Sequence, residues 1–279
     1  MRTLSNFAIR LWPFPAISLL LTSCTGPGIV MSPLPFTQST YQVQPTQNDS
    51  VRSANYLSVA GSINGVGDND DFDMALLGQI KFHHAGKAGR FQYFGGAQVN
   101  LGSYNSSDKV LITDTAMHYP QKDLYFVCSG AVTAGFSYVI PVHPNFDWRI
   151  IGLEGTIGYE GGQYVKYRKA LPGDYYEYID RQNLQQLYFL TTELVFRKKK
   201  NGSKIAYQLA VGTHFKQLPT DEYDYDGNIY NFHTTVPAVV RNTVAFVGDP
   251  ISFHLQFTGS RYFAGIGAGL TYQLGRNRK

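Results

Sequence analysis

The sequence predicts an all-β fold: a small antiparallel up-and-down transmembrane β-barrel of about ten strands, preceded by an extended N-terminal segment. Three observations carry this expectation. Apolar and polar residues alternate along successive stretches, the connections between them are alternately short and long, and the only long apolar run lies in an export-type leader.

The leader comes first in the chain. Arg2 and Arg10 precede an apolar run from Ile17 that closes on Leu21-Thr22-Ser23-Cys24. The run is too short for a permanent membrane anchor, so residues 1–23 read as a processed signal and the mature chain as starting at Cys24. The tetrapeptide resembles the lipobox of bacterial lipoproteins. That resemblance implies that Cys24 is diacylated, freed by cleavage and acylated again, with palmitate-type chains as the lipid. Thr25 in place of Asp after the cysteine implies, within that family, release toward the outer membrane.

Composition narrows the rest. Loss of Arg2 and Arg10 lowers the formal charge from +4 to +2, since no acid precedes Cys24, and this balance gives no basis for nucleic-acid binding. The two cysteines are Cys24 and Cys128, and with the first lipidated no disulfide framework is available. With 20 Tyr, 18 Phe and 28 Gly, the residue usage favours pleated strands over helices. No apolar run of about 18 residues follows the leader, so any membrane crossing must be a closed barrel, in which every backbone group finds a partner.

Residues 24–54, with Pro27, Pro33, Pro35 and Pro45 among Ser, Thr and Gln, read as an extended tether, and residues 55–279 as the barrel domain. In the first strand Leu57, Val59, Gly61 and Ile63 alternate with Tyr56, Ser58, Ala60 and Ser62. In the second, Met74, Leu76, Gly78, Ile80 and Phe82 face away from Asp73, Leu77, Gln79, Lys81 and His83. The stretch 85–89 turns the chain into a third strand, where Phe91 to Leu101 alternates most regularly. Further strands are expected at 124–140, 148–164, 187–197, 204–215, 239–247, 251–258 and 262–274. Leu184, Leu187, Leu190 and Leu194 also recur at helical spacing, but Thr191, Thr192, Val195 and Phe196 favour extended backbone.

Connections 85–89, 141–145, 200–203 and 248–250 are short, whereas 102–123, 165–186 and 216–237 are long. In bacterial outer-membrane barrels short turns face the periplasm and long loops the exterior, which sets both ends of the strand series on the periplasmic side. Ile151, Leu153, Ile157 and Tyr159, Tyr188, Leu190, Leu194 and Phe196, Ile205, Tyr207, Leu209 and Val211, and Ile251, Phe253, Leu255 and Phe257 would meet lipid. Glu154, Thr156, Glu193, Arg197, Gln208, His214, His254, Gln256 and Gln273 would line the inside. A soluble β-sandwich alternates in the same way with its apolar face inward, so periodicity alone leaves a lipid-anchored periplasmic binding module open.

The leader with Cys24, the proline-containing tether and the glycine-aromatic style of 91–104 and 261–274 together resemble outer-membrane β-barrel lipoproteins of the Bacteroidetes type. Asp49-Ser50-Val51 and Asp114-Thr115-Ala116 look like the Asp-Ser/Thr-aliphatic sites that such bacteria O-glycosylate. The C-terminal Leu274-Gly275-Arg276-Asn277-Arg278-Lys279 departs from barrel insertion signals by lacking a final aromatic residue.

Chemistry-bearing motifs are sparse. A phosphate loop, CxxC pair, HExxH and GxSxG are all missing. Glu222, Asp224, Asp226 and Gly227 have the spacing of a calcium loop but depart from the EF-hand, with Glu at the first position and His233 at the twelfth. Asp68, Asp70, Asp71 and Asp73 form a second acidic stretch that, with His214 or His233, is similar to the rim set of omptin proteases. Glu154, Glu193, Arg197 and Arg241 are expected as interior charges that pair with one another. His83 and His84, adjacent on a strand, must face opposite ways. The expected function is therefore a non-enzymatic outer-membrane barrel lipoprotein, an anchor or accessory subunit held by membrane lipid and binding other outer-membrane proteins. An omptin-like rim hydrolase and a soluble lipid-anchored β-sandwich are the alternatives.

Overall fold

The computed structural model describes residues 29–33, 40–46, 50–68, 71–106, 124–171, 178–198, 203–214, 218–223, 229–235, 238–260 and 263–278. Ten of its strands form one closed antiparallel barrel. In chain order they are β2 (Val51–Asp68), β3 (Asp71–Ala88), β4 (Phe91–Asn105), β5 (Leu124–His143), β6 (Phe146–Gly162), β8 (Leu184–Arg197), β9 (Lys204–His214), β12 (Ala238–Val247), β13 (Ile251–Ser260) and β14 (Phe263–Arg278). Each pairs with the next, and the last pairs with the first, Ile266 lying opposite Ile63, so no ladder edge is left open. The expected fold class is thus the observed one, including a strand where leucines recur at helical spacing: β8 runs through Thr191, Thr192 and Val195.

Two-residue periodicity decides which side of the wall each residue takes. Along β6, Ile151, Leu153, Ile157 and Tyr159 are exposed on the outer wall, while Gly152, Glu154, Thr156 and Gly158 are buried toward the lumen. Outer residues such as Ile80 and Val132 are 58 % exposed, with none of the described residues covering them. Two aromatic pairs lie near the short-turn end, Phe91 with Tyr138 at 5.3 Å and Phe146 with Phe196 at 4.8 Å between ring centroids. An apolar band with an aromatic girdle is what a lipid environment selects. Val132→Arg, on the outer wall midway along β5, is therefore expected to lower the stability of the barrel refolded into lipid vesicles by about 2–4 kcal/mol. Denaturant titration would read this, and an unchanged midpoint would rule out a lipid-facing wall at that position.

One barrel mouth carries tight turns. Gly89, whose φ of 59° suits a residue without Cβ, starts the turn between β3 and β4, and Pro144 and Asn145 join β5 to β6. The opposite mouth carries the long connections. One holds α1 (Gln163–Ala170) and β7 (Tyr178–Ile179), and another the hairpin of β10 (Leu218–Tyr223) with β11 (Ile229–Thr235). Sequence periodicity did not indicate α1, because its buried face is Tyr164, Val165 and Arg168 and includes a charge. β2 also begins at Val51 rather than at 55.

Candidate functional site

The described part of the stretch expected as a tether is not a free spacer: residues 40–46 lie inside the barrel and all seven are buried. Without regular secondary structure of their own, they meet the wall through side chains. At the short-turn mouth the Thr46 carbonyl accepts from Lys87 Nζ at 2.8 Å, and the Thr46 hydroxyl bonds the Arg197 guanidinium. One step inward, Arg149 reaches the Gln44 carbonyl at 3.4 Å and pairs with Glu193 at 2.6 Å, and the Tyr41 hydroxyl donates to Glu193 at 2.7 Å. His83 Nε2 lies 3.1 Å from the Val43 carbonyl, and its ring stacks on Tyr56. His84, next along the strand, points the other way and bonds Asn55.

At mid-barrel the Thr40 hydroxyl donates to Gln79 at 2.7 Å and accepts from Lys81 Nζ at 3.2 Å. The polar relay continues from Gln79 to Asn100 and from Asn100 to Ser129, each at 2.8 Å. Across the lumen Arg241 forms a two-pronged pair with Glu154 at 2.8 and 3.1 Å, bonds Gln208, and lies over the Phe189 ring. These arrangements follow from the cost of burying charge: a guanidinium in a filled lumen needs a carboxylate and further acceptors around it. The four interior charges named from the sequence therefore divide between Glu154 with Arg241, Glu193 with Arg149, and Arg197 with Thr46.

The long-connection mouth is closed differently. Tyr104 donates to Asp73 at 2.6 Å and stacks on Tyr164 of α1, whose hydroxyl donates to the Met31 carbonyl at 3.0 Å. Arg168, fully buried, pairs with Glu160 and with Asp180 at 3.1 Å, and Gln185 links Asp180 to His214. Burial works against the Arg168 charge, but Glu160, Tyr164 and Asp180 outweigh it and hold the guanidinium above its ordinary pKa. Beside this cluster Ile29–Val30, strand β1, pairs in parallel with β7.

His214 is buried on Gln185 and Asp73 on Tyr104, so neither joins the other as a rim pair. Asp70, Asp224, Asp226 and Cys24 lie outside the described residues, as do the side chains of Asp68, Asp71, Glu222 and His233. Among the described residues no three His, Cys, Asp or Glu side chains come together to hold a metal ion. Sequence reasoning put Lys81 on the inward face of its strand but missed Arg149 and the segment 40–46 as lumen contents and Arg168 as part of the closed mouth. The available signal was Tyr41 and Val43 alternating with Gln42 and Gln44 in a stretch otherwise typical of a linker.

No family model matches the chain, and no curated protein does either. Solved structures with a similar course include an outer membrane channel from Pseudomonas putida F1, with TM-score 0.44 and 10 % identity over 84 % of this chain and all of that one. The beta domain of the Bordetella autotransporter Brka has TM-score 0.46 and 10 % identity over 80 % of this chain and all of its own. The translocator domain of the autotransporter NalP from Neisseria meningitidis has TM-score 0.43 and 8 % identity, covering 81 % of this chain and 90 % of its own. Likeness at this level says nothing of activity.

Proposed function

We propose that the protein is a non-conducting, non-enzymatic β-barrel of the bacterial outer membrane, lipidated at Cys24, that serves as an anchor or accessory subunit for other envelope proteins. The observation that carries this reading is the occupied lumen. A barrel of about eight strands is filled by its own side chains and one of about 16 to 18 holds an aqueous channel, so ten strands leave an intermediate space. Here residues 40–46 take that space and bond both walls. The uncovered apolar outer wall supports membrane insertion, and the separation of short turns from long connections supports an orientation with the latter outside the cell. Contacts with partners then fall to the long connections and the outer wall, because the interior is spoken for.

A planar bilayer recording tests the central claim. The intact protein, inserted and heat-modifiable on gels, is expected to give no steady conductance. Large stable openings would overturn the reading and return the protein to the channels.

A further inference from the structure

The course of the N-terminal segment determines where a lipid on Cys24 can sit. We infer that the chain threads the barrel from the short-turn mouth to the long-connection mouth, so that the acyl chains of Cys24 enter the leaflet on the long-connection side. With the orientation proposed above, on which this inference rests, that is the outer leaflet, and the lipidated end is displayed at the cell surface.

The contacts mark the path in order. Val51 opens β2 at the short-turn mouth, opposite the β3–β4 turn, with Ser53 in register with Gly86. Thr46 bonds Lys87 and Arg197 at that same mouth. Val43 meets His83, and Thr40 meets Gln79 and Lys81, successively farther along β3. Met31 is buried beneath Tyr164, packed with Val66, Leu77 and Tyr104 at the opposite mouth. Ile29 and Val30 then pair with Tyr178 and Ile179, in the long connection itself. Decreasing residue number thus runs one way through the barrel.

Reach excludes the other leaflet. From Ile29 back to Cys24 there are five residues (29 minus 24), which extended span at most about 18 Å. The apolar band of an outer-membrane barrel is about 25 Å tall. A lipid tied within that reach of the long-connection mouth cannot return to the short-turn side, and the lumen it would need is already occupied by its own chain. It follows that the barrel closes around residues 40–46 during assembly, because an acylated terminus has no passage through a filled lumen.

Cysteine accessibility tests this in the full-length protein with Cys24 intact and Cys128→Ser to remove the other thiol. Gly28→Cys, Asp108→Cys and Lys279→Cys variants are each exposed to a membrane-impermeant maleimide on intact cells and again after the outer membrane is permeabilised. Gly28→Cys is expected to react on intact cells together with Asp108→Cys, while Lys279→Cys reacts only after permeabilisation. Gly28→Cys reacting only in company with Lys279→Cys would overturn the threading. So would a mature N-terminal peptide whose mass lacks acyl chains on Cys24, since no lipid would then be displayed. Failure of the underlying barrel reading is separately visible: a Cys24→Ala form behind a cleavable leader would stay soluble without detergent and show no heat-modifiable migration.

Discussion

Arg241→Ala is expected to destabilise the barrel by about 3–5 kcal/mol, the cost of leaving Glu154 charged and buried without its partner. Arg241 is 1 % exposed and its guanidinium serves three neighbours: two oxygens of Glu154, Gln208 Oε1, and the face of Phe189. No surrounding water can replace those bonds without opening the lumen. The loss should be seen as a lower urea midpoint in detergent and a fading heat-modifiable band. Joint replacement by Arg241→Leu with Glu154→Leu should recover most of it, because a matched apolar pair removes both charges at once. Arg90→Ala supplies the contrast. Arg90 is exposed and, among the described side chains, bonds the Tyr138 hydroxyl alone at 3.2 Å, so its removal should change the midpoint by no more than about 0.5 kcal/mol. Equal effects of the two variants would show that the interior pair is hydrated and carries little.

The barrel itself was legible because strand periodicity is strict. Each inward residue, from Asp73 and Gln79 on β3 to Gln256 on β13, follows from the position of its neighbours, and one apolar outer face requires the same register throughout. Connection lengths added an independent check, since they alternate only if no strand has been missed. Interior charges were legible for the same reason, but their partners were not. Periodicity places Glu193 inside without saying that Arg149, 44 residues earlier, meets it across the β6–β8 ladder. Nor does it say that Arg241 and Glu154 meet across the lumen, 87 residues apart. Helix α1 escaped because Arg168 occupies a place that an amphipathic pattern gives to an apolar side chain. The N-terminal segment escaped for a deeper reason. Proline, Ser, Thr and Gln describe a chain that does not pack on an apolar core, yet the inside of this barrel is polar, and a polar segment with Tyr41 and Val43 is what such an interior accepts.

Removing residues 24–48, behind a leader that is still cleaved, is expected to convert the barrel into a channel. The intact lumen holds two sets of bonds, those of the wall to itself and those of the wall to residues 40–46. Without the segment the wall pairs remain: Arg241 keeps Glu154, Arg149 keeps Glu193, and Gln79 keeps Asn100. Lys81, however, loses the Thr40 hydroxyl, Lys87 the Thr46 carbonyl, and His83 the Val43 carbonyl. For Lys81 and His83, both buried, a donor left without an acceptor costs about 1–3 kcal/mol, more when charged, and the least costly remedy is water. His83 and Lys81 lie at successive levels along β3, inward of the Lys87 level, so the water that satisfies them forms a file from near the short-turn mouth to mid-barrel. At the other end Tyr164 loses Met31 from beneath it, and the remaining cluster of Tyr104, Tyr164 and Arg168 becomes the narrowest point of the path. Planar bilayers should then show stepwise openings for the shortened chain and none for the intact one, with the shortened barrel still heat-modifiable but lower in urea midpoint. A silent, inserted, shortened barrel would mean that the wall side chains collapse inward to fill ten strands by themselves, and that the threaded segment is not what closes the pore.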